Sequence, residues 1–223
     1  ARMVKNFKNT SPRLIDISLP VSEGLPVWPS SVGARVTCER SMEEGAEANV
    51  TRLDTDVHFG THVESSLHYF PNGRPINDIS LDIFFGLALV VHLPEVDAVG
   101  AKELEQLKLP PKKIIRLLLR TKNSDLWAKS NQKFSENYVG LTKDGAQWVV
   151  ENGIRLIGMD YLSVAKYSDA TEVHKILLGS DLIILEGLDL SHAPADRYEL
   201  LCFPLKIINA EAAPARALLR VFD

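Results

Sequence analysis

The run His58-Phe59-Gly60-Thr61-His62-Val63-Glu64-Ser65-Ser66-Leu67-His68 constrains the fold more than any other stretch of this chain. Three of the six histidines and one carboxylate fall inside it, and no regular element accommodates them as a group. On a helix, offsets of four, six and ten residues spread these side chains over about half of the cylinder, and Gly60 weakens the helix further. In a straight strand all four share one face, but His58 and His62 then lie ~13 Å apart, too far for a single ion. A kinked segment with Gly60 at the bend brings them together. Something must offset that irregularity, and a metal is the obvious candidate, since imidazole with carboxylate suits zinc, manganese or iron. The bland alternative is chance clustering of histidines on a polar strand face, and for one i,i+4 pair alone it is the commoner outcome. Glu64 and His68 shift the balance towards metal, because a catalytic centre needs ligands and also a free acid or base.

Around that run the first half of the chain reads as β-rich. Candidate strands are 14–19, 34–39, 50–57, 87–92 and 114–120, separated by Pro, Gly and Asp/Asn punctuation. Thr51, Leu53, Thr55 and Val57 alternate with Arg52, Asp54 and Asp56, the period of a half-buried strand leading into His58. The second half alternates helix and strand signals. A short amphipathic helix over 101–107 ends at Pro110-Pro111, and a longer one capped by Thr142 runs to about Asn152, with Gly153 in the stop position. A strand over 155–159, a helix over 171–178 and an apolar strand over 182–185 follow. The polar region 124–137 is expected to be an irregular surface excursion. The pattern predicts one α/β domain with substantial antiparallel content, residues 1–12 forming a polar lead and 13–223 the domain.

A second polar cluster lies in that half. His174 falls in the helix that Thr171 can cap, and Glu186 ends the strand that follows it. Groups at strand ends and adjoining helix N-termini line ligand crevices in open α/β folds. Alone, His174 reads as a partly exposed helix residue. Glu186 follows Leu182-Ile183-Ile184-Leu185, where an unpaired carboxylate is costly; a metal, or a cation such as Arg155, would remove that cost. Trp28, between Pro26 and Pro29, is held off any regular central strand and reads first as a core or interface residue. His92 and His192 read as structural, and Cys38 and Cys202, with no activating neighbour, as inert.

Bulk properties exclude several classes. A net charge of −4, with no basic run beyond pairs such as Lys112-Lys113, argues against nucleic-acid binding. The longest apolar run, Phe84 to Val91, is too short to span a membrane. Two cysteines without a CxxC fit a reducing compartment, and Ala1-Arg2-Met3-Val4-Lys5 lacks the apolar core of a signal peptide. The expectation is a cytoplasmic protein acting on a small molecule.

The run from His58 to His68 resembles the His-x-Gly-Thr-His-x-Asp-x-Pro-x-His signature of the metal-dependent cyclase superfamily, which includes bacterial kynurenine formamidases and isatin hydrolase. Asp16-Ile17-Ser18-Leu19 and Pro26-Val27-Trp28-Pro29 resemble the family's opening. Leu156-Ile157-Gly158-Met159-Asp160, Ile184-Leu185-Glu186-Gly187-Leu188, Tyr198-Glu199-Leu200 and Pro214-Ala215-Arg216-Ala217-Leu218-Leu219-Arg220 resemble later segments, so the likeness runs from Leu14 to Arg220. It implies that His58 and His62 bind one metal ion, that Glu64 stands for the Asp contacting the metals, and that His68 is the catalytic proton donor and acceptor. His174 and Glu186 would complete a second metal position, and Trp28 would line the substrate pocket. It also implies a swivelling β/β/α fold assembled as dimers or larger homo-oligomers. Two departures stand out: the signature Asp is Glu64 and the signature Pro is Ser66. Kynurenine formamidases tend to carry Thr-Pro-Ser where this chain has Tyr161-Leu162-Ser163.

The expectation is a hydrolase with one or two zinc or manganese ions that attacks an amide, either cyclic or N-formyl, with His68 as general acid/base. Kynurenine formamidase proper, a lactone or ester hydrolase on the same apparatus, and a catalytically silent metal-binding relative are the alternatives. A purely structural metal fits less well, because structural zinc sites are closed and thiolate-rich.

Overall fold

The structure, a computed structural model, describes residues 13–107, 109, 114–128 and 133–222. Its strands in chain order are β1 (Leu14–Asp16), β2 (Arg35–Arg40), β3 (Val50–Asp54), β4 (His62–Glu64), β5 (Phe85–Leu93), β6 (Arg116–Thr121), β7 (Leu156–Met159), β8 (Ile183–Glu186), β9 (Asp196–Pro204) and β10 (Ala212–Val221). The α-helices are α1 (Ala101–Glu105), α2 (Lys143–Glu151) and α3 (Ala170–Gly179). β10 pairs with β4 at its start and with β9 along the rest, so the sheet β10-β4-β8-β7-β6-β5-β9 returns to β10 and closes a seven-stranded barrel. β1 adds to β10 from outside the ring. The pairs β5–β6, β6–β7 and β7–β8 are parallel, and the other ladders are antiparallel. This is the expected α/β class with mixed, largely antiparallel β content.

The parallel strands read as unbroken apolar runs because both their faces are covered. Leu118, Leu156, Ile183 and Leu185 point into the barrel with Val63, Ala213 and Leu219. Leu117, Leu119, Ile157 and Ile184 point outward beneath the helices, packing with Val149, Val173 and Leu177. The helices therefore lie against the outer face of the parallel section, and that face carries the polar cluster. Thr142 caps α2, its Oγ1 accepting from the Gly145 amide at 3.4 Å, and Gly153, at φ +69°, ends that helix turn as expected.

Several local expectations need correction. Strand 14–19 stops at Asp16, where the chain leaves the ladder and Ser18 makes a lone bridge to Leu188. The alternating strand 50–57 ends at Asp54 and is not half-buried there: among the described residues β3 pairs only with β2, and both strands of that ribbon are exposed along their length. Thr171 does not cap α3; the helix begins at Ala170 behind Asp169, and His174 stands at the start of its second turn. Region 124–137, described at 124–128 and 133–137, is irregular and, beyond Ser124, exposed or half-buried as expected; only its start is anchored in the interior. Asn123 and Ser124 are buried, with the Thr121 and Ser124 hydroxyls and amides all donating to the buried Asp160 carboxylate. Residues 1–12, Pro110-Pro111 and Lys112-Lys113 lie outside the described residues. Among those described, no helix is long and apolar enough to cross a membrane.

Candidate metal centre and active site

The β4–β8 register builds the site. His62 lies opposite Glu186 and Glu64 opposite Ile184, so alternation sends Val63 and Leu185 into the barrel and turns His62, Glu64 and Glu186 outward. α3 packs over that outer face through Val173 and Leu177 and brings in His174. His58 reaches the group by the bend foreseen at Gly60, whose φ is +65°. Gly187, at φ +67°, makes the bend possible, because a β-carbon there would lie 2.1 Å from the Gly60 carbonyl oxygen. Folding back this way, the His58 ring comes 5.2 Å from that of His62 and 4.4 Å from that of His68, centroid to centroid. A 3-10 turn over Ser66–His68 carries His68 to the same place. His58, His62, Glu64, His68, His174 and Glu186 thus all face one cavity of about 440 Å³.

Two buried carboxylates form its floor. Glu64 Oε1 lies 2.8 Å from His58 Nδ1, 3.4 Å from His62 Nε2 and 3.9 Å from His68 Nε2. Glu64 Oε2 is 3.5 Å from His174 Nε2, and Glu186 lies 3.5 Å from His62 Nε2 and 3.3 Å from His174 Nε2. The Val164 amide donates to Glu186 at 2.6 Å. Each of these two histidines has its other nitrogen pinned by a backbone carbonyl: His62 Nδ1 donates to Gly60 at 3.0 Å and His174 Nδ1 to Ala170 at 2.6 Å.

The electrostatics follow from these contacts. Burial opposes charge on His62, but hydrogen bonds to Glu186 and Glu64 overcome it and raise its pKa to about 10. His174, opposed by burial in the same way, is raised to about 9 by Glu186 and the Glu64 charge. Glu64 is held well below the usual carboxylate range: burial works against this, but His58 and His62 prevail. Glu186 is also lowered, its burial and the like charge of Glu64 being outweighed by His174 and His62. His68 behaves differently. Burial pushes its pKa below the usual imidazole value.

The donor set fits a divalent cation. His58, His62 and Glu64 offer one group of ligand atoms, and Glu64, His174 and Glu186 another, each group lying within 4.8 Å of itself. Glu64 Oε2 is buried and, among the described residues, has no hydrogen-bond partner, only the His174 ring at 3.5 Å, an opening that a cation would fill. Nitrogen and oxygen donors without thiolate suit a divalent transition metal. Arg155 does not serve Glu186; it pairs instead with Asp82 at 3.4 Å on the surface.

Trp28 packs against the core on one side and lines the cavity on the other, resting edge-on against Phe134 with centroids 5.1 Å apart and beside Tyr167 at 5.2 Å. His92 and His192 lie in exposed positions away from the cluster. Two residues escaped sequence reasoning. Tyr69 stacks on His174 at 5.3 Å, and its only signal was adjacency to His68. Glu211 places Oε1 3.2 Å from His58 Nε2, although 153 residues separate the two, and no spacing rule reaches across that interval.

A barrel with a mixed His/Glu centre on its outer face, opening into a small cavity, defines a metal-dependent enzyme of the hydrolase type. The chain belongs to the Cyclase family, whose model matches residues 15–166. It is 39% identical to cyclase-like protein 3 of Oryza sativa subsp. japonica over 93% of its own length and 79% of that protein's. It is 32% identical to the kynurenine formamidase of Bacillus cereus, over 92% and 96% of the two chains. Among solved structures, a potential metal-dependent hydrolase with cyclase activity superposes with a TM-score of 0.81 at 28% identity, covering 96% of this chain and all of the other. Isatin hydrolase A of Labrenzia aggregata shares the fold, with a TM-score of 0.79 at 20% identity over 95% and 94% of the two chains.

Proposed function

We propose that this enzyme hydrolyses the amide bond of a small aromatic substrate, either an N-formyl arylamine or a cyclic aryl amide, at a zinc or manganese centre of one or two ions. The observation that carries the reading is the buried Glu64–Glu186 pair with its orphaned oxygen, ringed by three histidines at one end of an aromatic-walled cavity. His58, His62 and Glu64 would hold one ion, and Glu64, His174 and Glu186 a second position. When bound there, a divalent cation supplies a Lewis acid that polarises the carbonyl and acidifies water.

The chain's own groups do the rest. Trp28, Phe59 and Tyr69 line the cavity and favour a flat ring over a flexible chain. His68 sits at the edge of the cluster, 3.9 Å from Glu64, and its lowered pKa keeps it neutral at pH 7. It is therefore the group free to take a proton from the attacking water and pass it to the leaving nitrogen. Elemental analysis tests the metal reading: the purified protein should hold zinc or manganese, and His62→Ala should lose most of it. Assay of the reconstituted protein on formamides, cyclic amides and lactones then tests the substrate class. Equal metal in wild type and His62→Ala would refute the centre, and turnover confined to lactones would refute the amide.

The same proposal extends to assembly and compartment. The exposed β2–β3 ribbon sets Val36 opposite Leu53 on one face, and an isolated two-stranded ribbon is marginal in water, so we assign it to contact with a second copy in a homodimer or larger homo-oligomer. Cys38 is exposed and Cys202 is buried in the barrel, so the two stay free thiols, which suits the reducing cytoplasm.

A further inference from the structure

The three histidines nearest the carboxylates are not held alike. His62 and His174 each have one ring nitrogen pinned by a main-chain carbonyl and the other turned to Glu64 and Glu186. His58 stands on the bend before β4, where, among the described residues, no main-chain carbonyl hydrogen-bonds its ring. Its Nδ1 faces Glu64 Oε1 at 2.8 Å, and its Nε2 meets Glu211 Oε1 at 3.2 Å from the opposite side. Glu211 is itself held in place. It immediately precedes β10, whose Ala212 pairs with Glu64, and its carbonyl accepts from both the Ser65 amide and the Ser65 hydroxyl at 2.9 Å. The backbone carrying Glu211 is thus tied to the residue following Glu64, and the carboxylate's distance from His58 is set by the β4–β10 register.

We propose that Glu211 is a positioning residue for metal binding: it accepts the Nε2–H of His58, fixing the tautomer and ring orientation that present Nδ1 to the ion. This rests on the metal reading above and goes one shell beyond it. A carboxylate behind a ligating imidazole both orients the ring and makes it a stronger donor, and loss of such a partner typically lowers metal affinity about 10–100-fold. Glu211 does for His58 what the Gly60 and Ala170 carbonyls do for the other two histidines. Its oxygen also lies close enough to His58 and His68 for the three to form a candidate cation group of their own. Orientation is the better account, because Nε2 is the nitrogen that Glu211 faces, while Nδ1 is already committed to the side of Glu64.

The test measures zinc affinity by chelator competition in the full chain, with circular dichroism to verify folding. Glu211 is partly exposed and its main-chain bonds survive substitution, so its variants should fold. Glu211→Ala should weaken zinc binding about 10–100-fold at unchanged stoichiometry. Glu211→Gln, whose amide oxygen still accepts from Nε2–H, should recover most of the loss. In nitrogen-15 spectra of the zinc-loaded protein, the His58 Nε2–H should be protected from exchange in wild type and Gln and lost in Ala. Equal zinc affinity in wild type and Ala would overturn the assignment. Loss of one zinc equivalent in both Ala and Gln would overturn it too, by making Glu211 a ligand. A wild-type protein that binds no zinc or manganese would defeat the underlying metal reading, a result visible before any variant is made.

Discussion

The closest main-chain approach at the site involves Gly187, and its replacement by alanine is the sharpest test of how the fold builds the centre. At φ +67°, an L-residue costs roughly 1–2 kcal/mol. The new β-carbon would stand 2.1 Å from the Gly60 oxygen, 2.7 Å from its carbonyl carbon and 3.1 Å from the Thr61 nitrogen. These are main-chain atoms, already tied by the Thr61 hydroxyl donating to the Gly187 carbonyl at 2.5 Å, so relief requires moving one strand end off the other. Overpacking of this kind costs about 1–3 kcal/mol, and the stiffer unfolded chain returns about 0.4–1 kcal/mol. The net loss is about 2–4 kcal/mol, or roughly 4–16 °C in Tm for a chain of this size. Gly45→Ala is the control. It shares a left-handed φ, +93°, but meets no atom within 4 Å, so it should lose only about 1 kcal/mol or less. Urea unfolding of the chelator-treated proteins reads both values. If Gly187→Ala is no worse than Gly45→Ala, the strand crossing does not hold the bend and the reasoning fails. Because the Gly60 carbonyl also holds His62 Nδ1, zinc affinity should fall in Gly187→Ala and stay unchanged in Gly45→Ala.

Three other outcomes follow. His68→Ala should keep its metal and lose on the order of a hundredfold or more in rate; loss of metal together with activity would make His68 a ligand instead. Glu64→Asp should lower activity, since the surrounding histidines are spaced to the longer side chain, and a misplacement of about 1 Å costs on the order of a hundredfold; an unchanged rate would refute that spacing. The chelator-treated protein should lose thermal stability as pH rises. His62 and His174, raised in the fold to about 10 and about 9 from 6.5, contribute stability that is complete below pH 6.5 and is lost as pH climbs through 9 to 10. Glu64 and Glu186, lowered below 4.5, contribute stability present above pH 4.5 and lost on acidification. Melting temperatures of the chelated protein that rise between pH 7 and 10 would contradict this.

The sequence made the centre legible where chemistry was dense and local. Three histidines and a carboxylate around Gly60 announced a bend, and the register of two short strands then placed His62 across from Glu186. What it concealed were long-range partners. Glu211 carries no periodic signal linking it to His58, and β9 and β10 escaped detection because their polar and charged residues interrupt the apolar alternation until neighbouring strands supply the context. Val50–Asp54 misled in the opposite direction. Its alternation satisfies a two-residue period, yet periodicity reports only that two faces differ, and in this chain both faces of the ribbon meet solvent. Trp28 was ambiguous for a related reason, since burial by Phe134 on one side and exposure to a cavity on the other give the same local sequence.

Charge balance explains how such a centre can fold first and bind metal afterwards. Two carboxylates buried side by side are costly unless cations face them. In the chelated protein, protonated His62 and His174 supply two positive charges against Glu64 and Glu186. On the proposed ligation, a divalent ion would supply two charges to the same two carboxylates, and His62 and His174 would give up their protons to it. Either arrangement sets positive charge against the two buried carboxylates, so neither requires the barrel to rearrange. The two apolar clusters, one inside the barrel and one under the helices, are built from residues outside the candidate ligand groups and hold the strands in register on their own. A zinc finger lacks such a core and unfolds when its metal is removed. On this reading a metal would be exchanged for protons at a site the fold has already assembled, and pH would govern affinity through the raised histidines His58, His62 and His174 more than through any change of shape.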